Sequence, residues 1–113
     1  MDFKTLLNTL PEIDHLNGLD VFDNETVIHH IPAVAGKLGS LRVYYALAKT
    51  FNGQLDPISA EKGLEWFAEH TQEAKQHRGK HPNIDLLFDV IEHNRVYRLV
   101  PLCHSSQSEE KVR

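Results

Sequence analysis

"LDVFDNETVIHHI", residues 19–31, decides the fold class that the sequence predicts. Two β-prone runs, "LDVF" and "TVIHHI", flank the polar stretch "DNE", and this arrangement is typical of a β-hairpin. His29 and His30 lie on opposite faces of the second strand because side chains alternate along a strand. We therefore expect one of these two histidines to be partly buried and hydrogen-bonded.

Outside the hairpin, apolar spacing and stop signals predict helices and one further strand. Ser40 and Asn83 are residue types that favour the N-cap position, so each is predicted to begin a helix. Glycine and proline residues give the ends of several segments. The predicted helices cover residues 2–10, 40–52, the segment between Asp56 and Gly79, and 83–94. The last predicted strand is "RVYRLVPL", residues 95–102.

This order of elements predicts an α+β domain over residues 1–102, with a three-stranded, mainly antiparallel sheet covered by about four helices. Residues 103–113, "CHSSQSEEKVR", have no apolar periodicity and are predicted to form a disordered tail. The 113-residue length fits one domain, and 41% hydrophobic with 25% charged residues is typical of a globular protein.

Charge and cysteine usage exclude several classes of function. The net charge of −4 argues against nucleic-acid binding, which needs clustered Lys and Arg. A single cysteine, Cys103, rules out an internal disulfide and predicts a cytoplasmic protein. The N-terminus lacks the pattern of a signal peptide, and no apolar run approaches the roughly 20 residues of a membrane span.

Two short segments share one layout that suits an anion. "GKLGS" (residues 36–40) and "GKHPN" (residues 79–83) are each a Gly-Lys pair followed by a predicted helix start. Helix N-termini carry free N–H groups and a partial positive charge, and lysine adds a full charge. The spacing does not match a phosphate-binding P-loop. The candidate ligand-binding residues are Lys37, Gly39, Ser40, Arg42, Lys80, His81 and Asn83. The alternative is that both segments are ordinary helix entries.

No specific catalytic or metal motif is present in the sequence. His70, Glu73 and His77 share one helical face, but no second histidine or cysteine pair completes a zinc set, so we predict no metal. Ser40 fits a helix cap better than a nucleophile. We predict no catalytic residue and no cofactor, and the balance is against an enzyme.

"GSLRVYYAL" and "EHTQEAKQHRGKHPNIDLL" resemble a family of short bacterial proteins, domain of unknown function 2322. The resemblance runs from "PEIDHLNGLDVFD" to "YRLVPL", that is, nearly all of the chain except the tail. It includes both Gly-containing segments. The resemblance implies a small cytosolic bacterial protein and gives no activity.

Three functions compete on this evidence. The first is a non-catalytic module that binds a small anion at the two Gly-Lys segments, and it requires that Ser40 and Asn83 lie near each other. The second is an interaction module that presents the acidic hairpin to a basic protein partner. The third is a small enzyme acting on an anionic metabolite. A homo-oligomer is compatible with each of them.

Overall fold

The computed structural model describes residues 1–104, which form five helices and one four-stranded sheet. In chain order the elements are α1 (Phe3–Leu7), β1 (Leu16–Asp23), β2 (Thr26–Pro32), α2 (Leu38–Thr50), β3 (Gln54–Leu55), α3 (Pro57–Trp66), α4 (Glu69–Gln76), α5 (Pro82–Glu92) and β4 (Tyr97–Cys103). The predicted α+β class is confirmed, whereas the predicted numbers of strands and helices are each one too low.

The predicted hairpin forms the centre and one edge of the sheet. The strand order is β2-β1-β4-β3, and all neighbouring strands are antiparallel. Leu19 of β1 lies opposite Ile31 of β2 on one side and Pro101 of β4 on the other. The last strand therefore inserts beside β1, and the hairpin supplies one outer edge.

The fourth strand, β3, was missed by the sequence analysis. It consists of Gln54 and Leu55 alone and pairs with the start of β4. Two residues are too few to show the alternation that identifies a strand. Leu55 is nevertheless fully buried and belongs to the core.

The long third helix that was predicted between Asp56 and Gly79 is wrong, because two helices occupy this segment. α3 begins with a capping box in which the Asp56 carboxylate accepts the Ser59 N–H and the Ser59 hydroxyl accepts the Asp56 N–H. The break falls at Ala68, whose φ of +54° lies in the left-handed region. A non-glycine residue leaves the helical region there, so α3 ends before it and α4 begins after it.

The core lies between one face of the sheet and the helices. In β1, Leu19 and Val21 are fully buried, while Asp20 and Phe22 face the other way and are half-buried. α2 packs against all four strands, and α3 packs against α5. The largest fully buried side chains include Tyr44, Phe67, Leu41, Leu47 and Leu87.

Two predicted helix starts are displaced by a few residues. α2 begins at Leu38 with Lys37 as N-cap, and α5 begins at Pro82 with His81 as N-cap. Neither cap residue uses its side chain to cap the helix. Ser40 and Asn83 thus lie inside the first turns and are not N-caps.

The tail was predicted to begin at Cys103, but the first two of its residues are part of the fold. Cys103 is the last residue of β4, and the backbone N–H of His104 donates a 3.2 Å hydrogen bond to the carbonyl oxygen of His15. For residues 105–113 the prediction of disorder lies outside the described residues. Over residues 1–104, no helix combines the length and the apolar character that crossing a bilayer requires.

Candidate functional site

A cavity of about 450 Å³ lies at the starts of α2 and α5. Its rim comes from residues 36–40 and 80–83, which supply the polar side chains, and His70 of α4 adds an imidazole ring. Its apolar lining includes Phe3, Leu7, Phe67 and Ile84. This volume falls in the range of small-molecule pockets, about 300–1,000 Å³.

The cavity brings together most of the residues that the sequence analysis selected. These are Lys37, Gly39, Ser40, Lys80, His81 and Asn83. Both Gly-Lys segments therefore face one space, although they begin at Gly36 and Gly79, far apart in the chain. That these residues bind an anion stays a prediction.

Arg42 does not belong to this group. Its Nε donates a 3.0 Å hydrogen bond to the carbonyl oxygen of Pro11, and its Nη2 donates one of 3.1 Å to the carbonyl oxygen of Leu10. The guanidinium is thus used to hold the segment between α1 and β1 against α2. Arg42 has a structural role here, and it does not line the cavity.

The first turns of α2 and α5 supply backbone donors beside the cavity. Helix geometry leaves the first N–H groups without an intrahelical partner. No acceptor within residues 1–104 is hydrogen-bonded to the N–H of Leu38, Gly39, Ser40 or Asn83. These donors, together with the dipoles of two helices, favour a negative charge.

The charged side chains that line the cavity are lysines, and the nearest carboxylates belong to residues behind the lining. Lys37 and Lys80 are exposed, and neither forms an ion pair with a carboxylate in the described part of the chain. Among residues 1–104, no Asp or Glu lines the cavity. This composition contrasts with the net charge of −4 of the whole chain.

His81 links the cavity to α4. Its Nε2 lies 3.8 Å from Oε2 of Glu73, and that same oxygen lies 3.9 Å from Nε2 of His77. The His81 Nε2 atom is shielded from solvent and has no hydrogen-bond partner among the described residues. One edge of the ring thus faces the Glu73 carboxylate without a direct hydrogen bond.

Asn83 is fixed from two sides. The Nε2–H of His29 donates a 2.7 Å hydrogen bond to Oδ1 of Asn83, and the Tyr44 hydroxyl donates one of 2.6 Å to its carbonyl oxygen. The expectation of a partly buried, hydrogen-bonded histidine is confirmed at His29, which is half-buried. Burial raises the pKa of the Tyr44 hydroxyl well above its ordinary value of 10.0.

Tyr44 supports the site, although it is not among the candidate residues predicted from the sequence. The Tyr44 side chain is fully buried. A buried tyrosine needs a partner for its hydroxyl, and that requirement was the available signal. The partner could not be found without the fold, since Asn83 is 39 residues away.

The apolar wall of the cavity is built on α1 and the end of α3. The rings of Phe3 and Phe67 stack with their centroids 5.7 Å apart and their planes at 15°. The edge-to-face pair of Phe3 and His70 has a centroid distance of 4.8 Å. A Cβ atom on Gly39 would lie 3.0 Å from the Phe3 ring, so the absence of a side chain lets α2 approach this wall closely.

Residues 3–101 match the family model of DUF2322, described as an uncharacterized protein conserved in bacteria. The chain belongs to this family. The resemblance to domain of unknown function 2322 that the sequence analysis stated is therefore confirmed, and the match includes α1, which lay outside the predicted range. No curated protein and no solved structure matches the chain.

This DUF2322 chain offers no arrangement of ligands for a metal ion in its described residues. No group of three or more His, Cys, Asp or Glu side chains between residues 1 and 104 is placed to hold one. Of the three residues considered from the sequence, Glu73 faces His77, whereas His70 packs on the Phe3 ring. The chemistry available at the cavity is therefore charge and hydrogen-bond donation by lysine, histidine and backbone N–H groups.

Proposed function

We propose that this protein is a small binding module that takes a phosphate or carboxylate group into the cavity at the starts of α2 and α5. The observation that carries the proposal is the positive charge of the side chains that line the cavity. An acidic chain has a cavity whose charged side chains are Lys37 and Lys80, with no carboxylate among the described lining residues. Two helix N-termini meet at the same place.

Both helix starts would contribute to binding the anion. First-turn N–H groups of α2 donate to the anion, because charge-assisted hydrogen bonds from the backbone suit phosphate and carboxylate oxygens. Lys37 and Lys80 contribute point charges from opposite segments of the chain. The hydrogen bonds of Asn83 to β2 and α2 keep the α5 start in place, which reduces the ordering cost of binding.

Isothermal titration with inorganic phosphate tests this function. Lys37→Ala and Lys80→Ala should each weaken phosphate binding by about fivefold, since an exposed ion pair contributes up to about 1 kcal/mol. Lys75→Ala removes an exposed lysine of α4 that does not line the cavity and serves as the matched control. Phosphate binding that both cavity variants leave unchanged would refute the proposal.

The two other functions named from the sequence have less support. In the acidic hairpin, Asp20 is already paired with His30 at 2.6 Å, which takes one carboxylate from a surface for a basic partner. A small enzyme acting on an anionic metabolite would use the same cavity. If the protein converts a phosphate ester or carboxylate that binds there, it is an enzyme and not a binding module, and the site is the same.

A further inference from the structure

The cavity contains more apolar surface than an inorganic anion can use. Phe3 and Leu7 of α1, Phe67 after α3 and Ile84 of α5 contribute to its lining beside the Gly-Lys segments. A phosphate ion has no apolar surface to bury against these side chains and would leave most of the 450 Å³ to water. The lining is therefore suited to a ligand with a charged part and an apolar part.

The apolar wall is held in place from several directions. Phe3 stacks on Phe67, which is only 2% exposed, and its ring meets His70 edge to face. The backbone N–H of Phe3 donates a 2.9 Å hydrogen bond to Oε1 of Glu69. Gly39 also lies close to the Phe3 ring, since a Cβ atom on it would be 3.0 Å from a ring atom. A wall fixed in this way offers a preformed surface for a flat apolar group, because aromatic rings favour stacked and edge-to-face contacts.

We propose that the ligand carries its phosphate or carboxylate on an apolar ring, with the anion at the starts of α2 and α5 and the ring against the half-buried side chains of Phe3 and His70. This inference rests on the proposed function and adds the substrate class to it. An aryl phosphate or an aryl carboxylate has the required chemistry. Such a ligand uses both kinds of lining at once, and the apolar contact supplies affinity that surface charges alone do not.

A titration series of three compounds tests the inference separately from the function. Phenyl phosphate should bind at least tenfold more tightly than inorganic phosphate, and phenol should bind more weakly than phenyl phosphate. Equal affinities of phosphate and phenyl phosphate would overturn the ring while leaving the anion site intact. Phenol binding as tightly as phenyl phosphate, or no binding of either phosphate compound, would overturn both proposals.

The variant Phe3→Leu locates the ring contact. It keeps an apolar side chain on α1 and removes the aromatic surface, so the preference for phenyl phosphate over phosphate should fall about threefold. Leu6→Ala on the same helix is the control, because Leu6 does not line the cavity, and it should leave the preference unchanged. Thermal unfolding of both variants verifies that they are folded. An unchanged preference in folded Phe3→Leu would contradict the inference.

Discussion

The hydroxyl of Tyr44 donates a 2.6 Å hydrogen bond to the backbone carbonyl oxygen of Asn83 and so joins the middle of α2 to the first turn of α5. The side chain of Asn83 also accepts a hydrogen bond from His29 of β2. Three elements therefore meet at one residue that lines the cavity. The positions of the two helix starts relative to each other depend on this junction.

Removing the Tyr44 hydroxyl should lower the stability of the fold. In Tyr44→Phe the Asn83 carbonyl loses its donor, and we expect the free energy of unfolding to fall by about 1 kcal/mol. Urea denaturation measures the change. Tyr45→Phe is the matched control, since the Tyr45 side chain is only half-buried and its hydroxyl is hydrogen-bonded to His15 at 3.1 Å. An equal loss in Tyr45→Phe would show that the hydrogen bond to Asn83 stabilises the fold no more than the bond of Tyr45 does.

The same tyrosine predicts a dependence of stability on alkaline pH. Burial raises the Tyr44 pKa above its ordinary value of 10.0, so the hydroxyl ionises in the unfolded chain before it does so in the folded protein. The contribution of Tyr44 to stability is complete below pH 10 and is lost as the pH rises further. The advantage of the wild type over Tyr44→Phe should therefore shrink above pH 10 in urea titrations. A constant advantage from pH 8 to pH 11 would contradict this assignment.

A double-mutant cycle on the two lysines tests whether one ligand contacts both. If Lys37 and Lys80 hold the same phosphate, the loss of affinity in the double variant should differ from the sum of the single losses. Two independent surface charges would give additive losses. Titration of phosphate into the wild type, both single variants and the double variant at constant ionic strength gives the coupling, because screening alters exposed charges.

Substitution of Gly36 tests whether its loop requires a residue with positive φ. Its φ of +89° is a conformation that side chains strain, and a Cβ atom there would meet nothing within 4 Å. Gly36→Ala should therefore lower stability by about 1 kcal/mol through the backbone alone. Gly36→Asn should cost less, since asparagine tolerates positive φ better. Equal stability of all three proteins in thermal unfolding would show that the loop relaxes without strain.

The features that could be predicted from the sequence are those with a local signal in it. The hairpin could be predicted because its strands alternate over several residues. The two Gly-Lys segments could be selected as candidate binding residues because their shared layout is visible in the sequence itself. The start of α5 had a readable signal as well, since Pro82 occupies the first helical position that proline favours. Asn83 was chosen for its residue type, but its side chain accepts a hydrogen bond from β2 instead of capping the helix.

Other features depend on contacts between distant segments. "WFAEH" contains neither glycine nor proline, yet the chain leaves the helix at Ala68. There Phe67 is buried and stacks on Phe3, and the Thr71 hydroxyl donates to the carbonyl oxygen of Leu64. Tertiary packing thus overrides the local preference for one long helix. β3 and the apolar wall of the cavity arise in the same way, from residues that meet only in the folded chain.

Arg42 separates the structural from the functional interpretation of the segment after Gly39. Its guanidinium donates to the carbonyl oxygens of Leu10 and Pro11, so Arg42→Ala should leave both acceptors without this donor and lower the free energy of unfolding by about 2 kcal/mol. Arg42→Lys keeps the charge but lacks the planar fork that reaches two carbonyls, and most of the loss should remain. Phosphate affinity, measured well below the unfolding temperature, should stay unchanged in both variants. If Arg42→Ala weakens phosphate binding as much as Lys37→Ala does, the arginine reaches the anion after all, and the cavity extends further along α2 than its lining indicates.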